Sequence, residues 1–246
     1  MKFNNKVVLV TGSSQGIGAE LISYFHKEGA KVVINYNSSK LKAKTLYENL
    51  GNTDNLLIVK ADVSKYSQVQ EMFDKIIKKF GKLDILINNA AIYEDSTIWN
   101  MSKKTWSRVI ETDLTGIFNC TKFASKIMKE NKYGRILNMS SVVGQTSSFG
   151  TSNYAAAKSG ILGFSRVVAT ELARYNITVN TLSLGFIDTG MLHKLSEEVR
   201  KKILKQIPLG RWGSIEDVTF AVSFICSEET GYITGQSINL NGGYLM

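Results

Sequence analysis

The sequence predicts an α/β fold: a doubly wound parallel sheet of about seven strands with helices on both faces. Three observations predict it. Short runs rich in Val, Ile and Leu recur along the chain and are apolar almost throughout, which suits parallel strands covered on both sides. Longer amphipathic stretches separate them, so strand and helix alternate and right-handed crossovers follow. A glycine-rich turn comes directly after the first run. In such a sheet ligands bind beyond the carboxyl ends of the strands, near the point where strand order reverses. Functional residues are therefore expected just after strands.

The first strand, 6–10, runs straight into TGSSQGIG. Gly12, Gly16 and Gly18 sit where strand becomes helix, with Ser14, Gln15 and Ile17 among them. Glycine permits a tight turn and close backbone approach, and the helix start offers N–H groups and positive dipole to a phosphate. The spacing is G-x-x-x-G-x-G, not the commoner G-x-G-x-x-G, yet its place after the first strand favours a dinucleotide. The second strand, 31–35, ends in NYNSSK without an acid. An acid there would bind the ribose 2′-OH of NAD and repel the 2′-phosphate of NADP. Asn37, Ser38, Ser39 and Lys40 can donate to that phosphate, so NADP(H) is expected over NAD(H). A polar helix start with a serine cap accounts for the same residues.

Asp62 and Val63 follow the third strand, 56–61, and Asn89, Ala90 and Ala91 follow the fourth, 85–88. An Asp can accept from an adenine amino group, and small residues let backbone close on a cofactor. Each alone is also a turn signal, and it is their recurrence at successive strand ends that counts. Ser141 comes after the fifth strand, 135–140, where a serine commonly turns or caps the chain. Helical patterns are expected at 68–80 and 154–174, and in the second SNYAAAK places Tyr154 and Lys158 four apart. Positions i and i+4 share a helix face, and alanine holds the pair in a fixed relation. A packed tyrosine and a snorkelling lysine would give the same heptapeptide. The phosphate turn at the first strand and Ser141 at this distance favour chemistry. The remaining strands are expected at 178–184 and 237–240.

The chain of 246 residues is 43% hydrophobic and 21% charged, a globular composition. No linker, repeat or low-complexity stretch divides it, so a single domain over 1–246 is expected. The opening MKFNNKVVLVTG holds too short an apolar run for a signal peptide, and no stretch approaches the ~18 apolar residues of a membrane span. A cytoplasmic protein without a membrane partner is the expectation. Cys120 and Cys226 make neither a disulfide framework nor a metal spacing. The formal charge of +9 raises nucleic acid as a partner. Its lysines, such as Lys75, Lys78, Lys79 and Lys82, are scattered among acids, so a solvated basic surface or an acidic protein partner is expected instead.

TGSSQGIG, NNAA, the Ser141/Tyr154/Lys158 spacing and NTLSLGFIDT resemble the short-chain dehydrogenase/reductase family over essentially the whole chain. NYAAAKSGILGFSR, ITVN, IPLGRWG and TGQSINLNGGYLM are similar to its 3-oxoacyl-[acyl-carrier-protein] reductases and acetoacetyl-CoA reductases. The resemblance implies a Rossmann fold and NADPH-dependent reduction of a 3-oxoacyl thioester, carried on acyl carrier protein or CoA. It implies that Tyr154 protonates the developing alkoxide, while Lys158 favours the phenolate and binds the nicotinamide ribose. Ser141 would hydrogen-bond the substrate carbonyl. Gly185, Ile187 and Thr189 would lie at the carboxamide end of the cofactor, and Tyr93, Glu94, Gln145, Phe149, Phe186 and Met191 would face the substrate. Lys129, Lys132, Arg135, Arg166 and Arg174 are its candidate contacts for an acidic carrier protein near the site entrance. A homotetramer through helices starting near Trp106 and Tyr154 is implied as well.

Three departures from the family pattern stand out. Asp113, in DLTG, replaces an asparagine that shapes a helix kink and helps hold a water near the lysine; its charge would partly cancel the pull of Lys158. Ala91 replaces the glycine of NNAG, which is tolerable only if the backbone there is not left-handed. Leu184 replaces a proline at the start of the loop that carries the substrate lid. Two other readings compete: a dehydrogenase of small alcohols, sugars or a secondary-metabolite ketone, and a non-catalytic NADP-binding subunit.

Overall fold

The computed structural model describes residues 1–51, 53–189, 192 and 196–246. Seven parallel strands form one sheet: β1 (Val7–Val10), β2 (Lys31–Tyr36), β3 (Leu56–Lys60), β4 (Ile85–Asn88), β5 (Gly134–Ser141), β6 (Ile177–Leu184) and β7 (Ser237–Leu240). Their order is β3-β2-β1-β4-β5-β6-β7. The order reverses at β1, which pairs with β2 on one side and β4 on the other. Each expected strand is present with its ends moved by a residue or so. Ser141 is consequently the last residue of β5 and not the first after it.

The helices between the strands are α1 (Gly16–Lys27), α2 (Lys40–Asn49), α3 (Tyr66–Phe80), α4 (Lys103–Ile110), α5 (Gly116–Asn131), α6 (Ser152–Leu172), α7 (Glu197–Leu204) and α8 (Ile215–Ile225). Side chains alternate across each strand, so the apolar runs feed two cores. Val8 and Val10 pack with Leu21, Ile22 and Phe25 of α1 and with Val218 and Val222 of α8. Val7 and Leu9 pack on the opposite face with Val69, Met72 and Ile76 of α3, Ala124 and Met128 of α5 and Ala169 of α6. This is the Rossmann-like arrangement the alternation predicts.

The amino end of the sheet is closed by Arg135, which is almost fully buried. Its guanidinium donates to Ser227 O, Glu228 O, Asn176 O and Gly134 O at 3.1, 3.3, 3.3 and 2.9 Å and lies over the Tyr133 ring. A side chain spent on four backbone carbonyls is not free for a partner protein. Lys129 and Lys132 sit at the end of α5, just before β5 begins, and Arg174 follows α6, just before β6 begins. These residues therefore stand at the edge of the sheet opposite the strand carboxyl ends, not at an entrance there. Among the described residues no helix is long and apolar enough to cross a membrane.

Candidate active site

Along the carboxyl ends of the strands runs a cavity of about 1020 Å³. Residues following β3, β2, β1 and β4 line it, together with residues at the ends of β5 and β6. At roughly 4.8 Å per strand, six neighbouring strands give it a reach of about 24 Å.

The glycine turn forms the middle of one wall. Gly12 has φ +63°, and a Cβ there would stand 2.8 Å from Ala90 Cα. A Cβ on Gly18 would stand 2.7 Å from Asn89 Nδ2 and 2.8 Å from Ser13 Cα. Gly16 has φ +58° and nothing within 4 Å of its would-be Cβ, so its need for glycine is conformational. Gln15 precedes α1 without a side-chain cap, which leaves the first N–H groups of the helix unserved by protein side chains. Ser14, Gln15, Gly16, Ile17 and Gly18 all line the cavity.

Two buried residues that the sequence reading passed over hold this turn in place. Asn35, 1% exposed at the end of β2, accepts from Gly12 N at 2.9 Å and donates to Ala61 O at 3.1 Å. Thr11 Oγ1 accepts from Asn89 N and Ala90 N at 2.9 and 3.0 Å. The signal for Asn35 was present: it is the lone amide in the apolar run KVVINY.

Beyond β2, Asn37, Ser38, Ser39 and Lys42 line the cavity; Lys40 does not. The Lys42 ammonium donates to Gln15 Oε1 at 2.6 Å and so bridges the start of α2 to the start of α1. Asp62, Val63 and Ala90 line the wall as expected. Asp62 Oδ1 accepts from Ser64 N and Ser64 Oγ at 2.9 and 2.8 Å, so the aspartate also closes a local turn. Ala91 lines the cavity and is absent from the described non-glycine residues with positive φ, so its methyl carries no left-handed strain.

Tyr154 and Lys158 line the same cavity from α6. The Lys158 ammonium lies 5.2 Å from the Tyr154 ring centroid. It donates to Met139 O at 3.2 Å and pairs with Asp113 Oδ2 at 3.3 Å; the two paired side chains are 4% and 0% exposed. Gly144 lets the chain after β5 press on α6, since a Cβ there would stand 2.7 Å from Lys158 C. Asp113 lies in a π-helical turn, Glu111–Thr115, between α4 and α5. Its Oδ1 accepts from Ile92 N at 2.9 Å, tying the loop after β4 to that turn. Burial pushes the Asp113 carboxyl above its usual range, against the opposing pull of Lys158 and the Ile92 N–H.

The other expected site residues divide. Thr189 lines the cavity. Gly185 packs on Asn241 and Ile187 is buried in the core, bridged to Gly213, so neither lines it. Ser141 does not line it either; its Oγ accepts from Val143 N at 3.2 Å, a cap. Tyr93 meets the Tyr154 ring edge-on at 5.3 Å. Gln145 donates to Asn239 Oδ1 at 2.8 Å, and Phe186 packs between Trp212 and Tyr244. Phe149 is 84% exposed. Met191 lies outside the described residues. Arg108, Glu111 and Thr112 line the cavity without having been singled out from the sequence. Cys120 and Cys226 are buried thiols pushed up to about 12, far from reactive.

Residues 12–245 match a family described as enoyl-(acyl carrier protein) reductase. The 3-oxoacyl-[acyl-carrier-protein] reductase of Staphylococcus epidermidis is 39% identical over 243 residues, covering 98% of this chain and 100% of that protein. Its namesake in Staphylococcus aureus is 40% identical over 242 residues, 98% of each chain. That of Escherichia coli is 39% identical over 246 residues, 100% of each.

Proposed function

We propose that this chain, which belongs to the short-chain dehydrogenase/reductase family and is an oxidoreductase, reduces a 3-oxoacyl thioester to the 3-hydroxyacyl thioester. One observation carries the reading: a single cavity is lined by the glycine turn at the start of α1 and, across the switch point, by Tyr154 and Lys158. The residues fit a dinucleotide. Gly12 and Gly18 leave no room for a side chain, and the uncapped start of α1 suits a diphosphate. A nicotinamide cofactor held there would supply the hydride that adds to the ketone carbon. Tyr154 gives its phenolic proton to the ketone oxygen, which becomes the alcohol. Lys158 donates to Met139 O and forms an ion pair with Asp113, and its ammonium stands 5.2 Å from the Tyr154 ring centroid. Ser141 uses its Oγ as an acceptor toward Val143 N and does not line this cavity, so the reading rests on Tyr154 and Lys158 for its proton chemistry.

NADPH is the preferred reductant in this reading. No acid stands at the end of β2, and Asn37, Ser38, Ser39 and Lys42 offer donors and a positive charge. The thioester carrier in this reading is an acyl carrier protein, as the names of the relatives suggest, or CoA. A homotetramer is part of the proposal, supported by Trp106, Phe118 and Val167, which leave apolar surface exposed on α4, α5 and α6.

The matched family description favours a second reading, reduction of an enoyl thioester. There the hydride again adds at C3, but the proton ends on C2. NADPH and NADH consumption with acetoacetyl-CoA, crotonyl-CoA, 3-oxoacyl carrier protein and free ketones separates the readings. The proposal expects acetoacetyl turnover with NADPH and little with crotonyl-CoA. Faster crotonyl turnover supports the second reading, turnover of free ketones alone a small-alcohol dehydrogenase, and cofactor binding without turnover a non-catalytic subunit.

A further inference from the structure

A second cavity, of about 450 Å³, lies beside α6 and is lined by residues 96–99, 146–152 and Ala155. Ile98, Trp99 and Phe149 expose 67%, 74% and 84% of themselves around it. Several hydroxyls of its walls are paired locally, while that of Thr97 is buried without a partner. Thr146 Oγ1 donates to Val142 O at 3.0 Å, Thr151 Oγ1 to Ser148 O at 2.8 Å, and Ser152 Oγ to Met101 Sδ at 3.8 Å. Ser96 N donates to Gly150 O at 2.7 Å and joins the loops. Such walls suit a hydrocarbon better than a sugar or a phosphate.

The groove continues the candidate active site. Ala91 and Ile92 line the main cavity, and residues 96–99 of the same loop line the groove. Ser140 lines the main cavity, and 146–152 of the segment after it line the groove. Between the two lies Tyr93, edge-on to Tyr154, with Asn153 Nδ2 donating to Glu94 O at 3.0 Å. Tyr154 faces the main cavity while Ala155, about 100° further round α6, faces the groove. A ketone presented to Tyr154 thus has an apolar channel next to it.

We infer that this groove takes the alkyl tail of the substrate beyond the ketone, so that longer 3-oxoacyl thioesters are reduced in preference to acetoacetyl thioesters. The inference rests on the reaction proposed above and adds chain-length selectivity to it. The competing occupant is a second copy of this chain.

The test compares kcat/KM for acetoacetyl-, 3-oxohexanoyl- and 3-oxooctanoyl-CoA in the native protein, in Trp99→Ala and in the Ile98→Ala/Trp99→Ala double variant. The molar mass of each is read by light scattering. Burial of a methylene predicts a gain of roughly fourfold per added carbon in the native protein. The variants are expected to bring the ratio of 3-oxooctanoyl to acetoacetyl turnover toward one, with unchanged molar mass. General damage to the fold lowers both rates and leaves the ratio standing, which counts against the groove. Acetoacetyl turnover with no gain from chain length overturns the groove alone. Dissociation of the variants with an unchanged ratio assigns the surface to a second copy. Absence of turnover with every thioester overturns the reaction and the groove together.

Discussion

Asp113 sets an acid against the ammonium that the proposed mechanism assigns to Tyr154, in a place where neither charge is diluted by water. The ionised carboxylate weakens the electrostatic pull of Lys158 on the tyrosine. Asp113→Asn is nearly isosteric and keeps an oxygen for Ile92 N. It is expected to turn over several-fold faster, with its pH–rate profile displaced to lower pH; equal rates and profiles would contradict this. Stability follows the same residue with a defined sign. Burial raises the folded-state carboxyl above 3.8, so its contribution is full below that pH and is lost as pH rises through the folded value. Native protein should therefore lose stability relative to Asp113→Asn across that window, measured by urea unfolding against pH. Lys42 shows what sequence reading resolves poorly at this scale. The charge near the end of β2 was legible, but Lys40 and Lys42 differ by about 200° around α2, and helix starts are uncertain by a residue or two. Lys42→Glu is expected to weaken NADPH binding tenfold or more while sparing NADH, read by fluorescence titration.

At the scale of elements, the turn between β1 and α1 gives the sharpest contrasts. In Gly18→Ala the new methyl must displace Asn89, whose amide bonds Thr11 O at 2.9 Å, or the Ser13 backbone. A loss of about 1–3 kcal/mol is expected, with weaker NADPH binding. Gly163→Ala, in α6 with nothing within 4 Å of its would-be Cβ, is expected to be neutral or stabilising by up to about 1 kcal/mol. Thermal unfolding of the two variants checks both. The central strands were readable because burial on both faces leaves apolar runs, VVLV of β1 above all, whereas β7, SINL, is partly exposed at the edge of the sheet. The π-helical turn at Asp113 was foreseen only as a kink by resemblance, because one extra residue in a helix has no periodic signature. Asn35 stood out in the sequence only as the one amide in an apolar run; its partners, Gly12 N and Ala61 O, are brought to it by the sheet and have no signature in the sequence.

For the molecule as a whole, strand order decides which residues share a site. The sequence alone could place Gly12, Asn89 and Tyr154 beyond three different strands, β1, β4 and β5; the reversal at β1 makes those strands neighbours and brings the residues to one cavity. The same topology carries Lys129, Lys132, Arg135 and Arg174 to the other edge of the sheet, where sequence resemblance gave no hint of distance. A net charge of +9 still favours an acidic carrier, through the field of the whole surface instead of those residues. Light scattering is expected to return four times the 27.3 kDa of the chain; a monomer would contradict the proposed tetramer. The proposed reaction requires one cavity to hold the reductant and present a ketone to the phenol of Tyr154. The direct test pairs acetoacetyl-CoA reduction with NADPH binding in Tyr154→Phe. Binding should stay within a few-fold of native while turnover falls by about 10²–10⁴; turnover kept near the native rate would contradict the account.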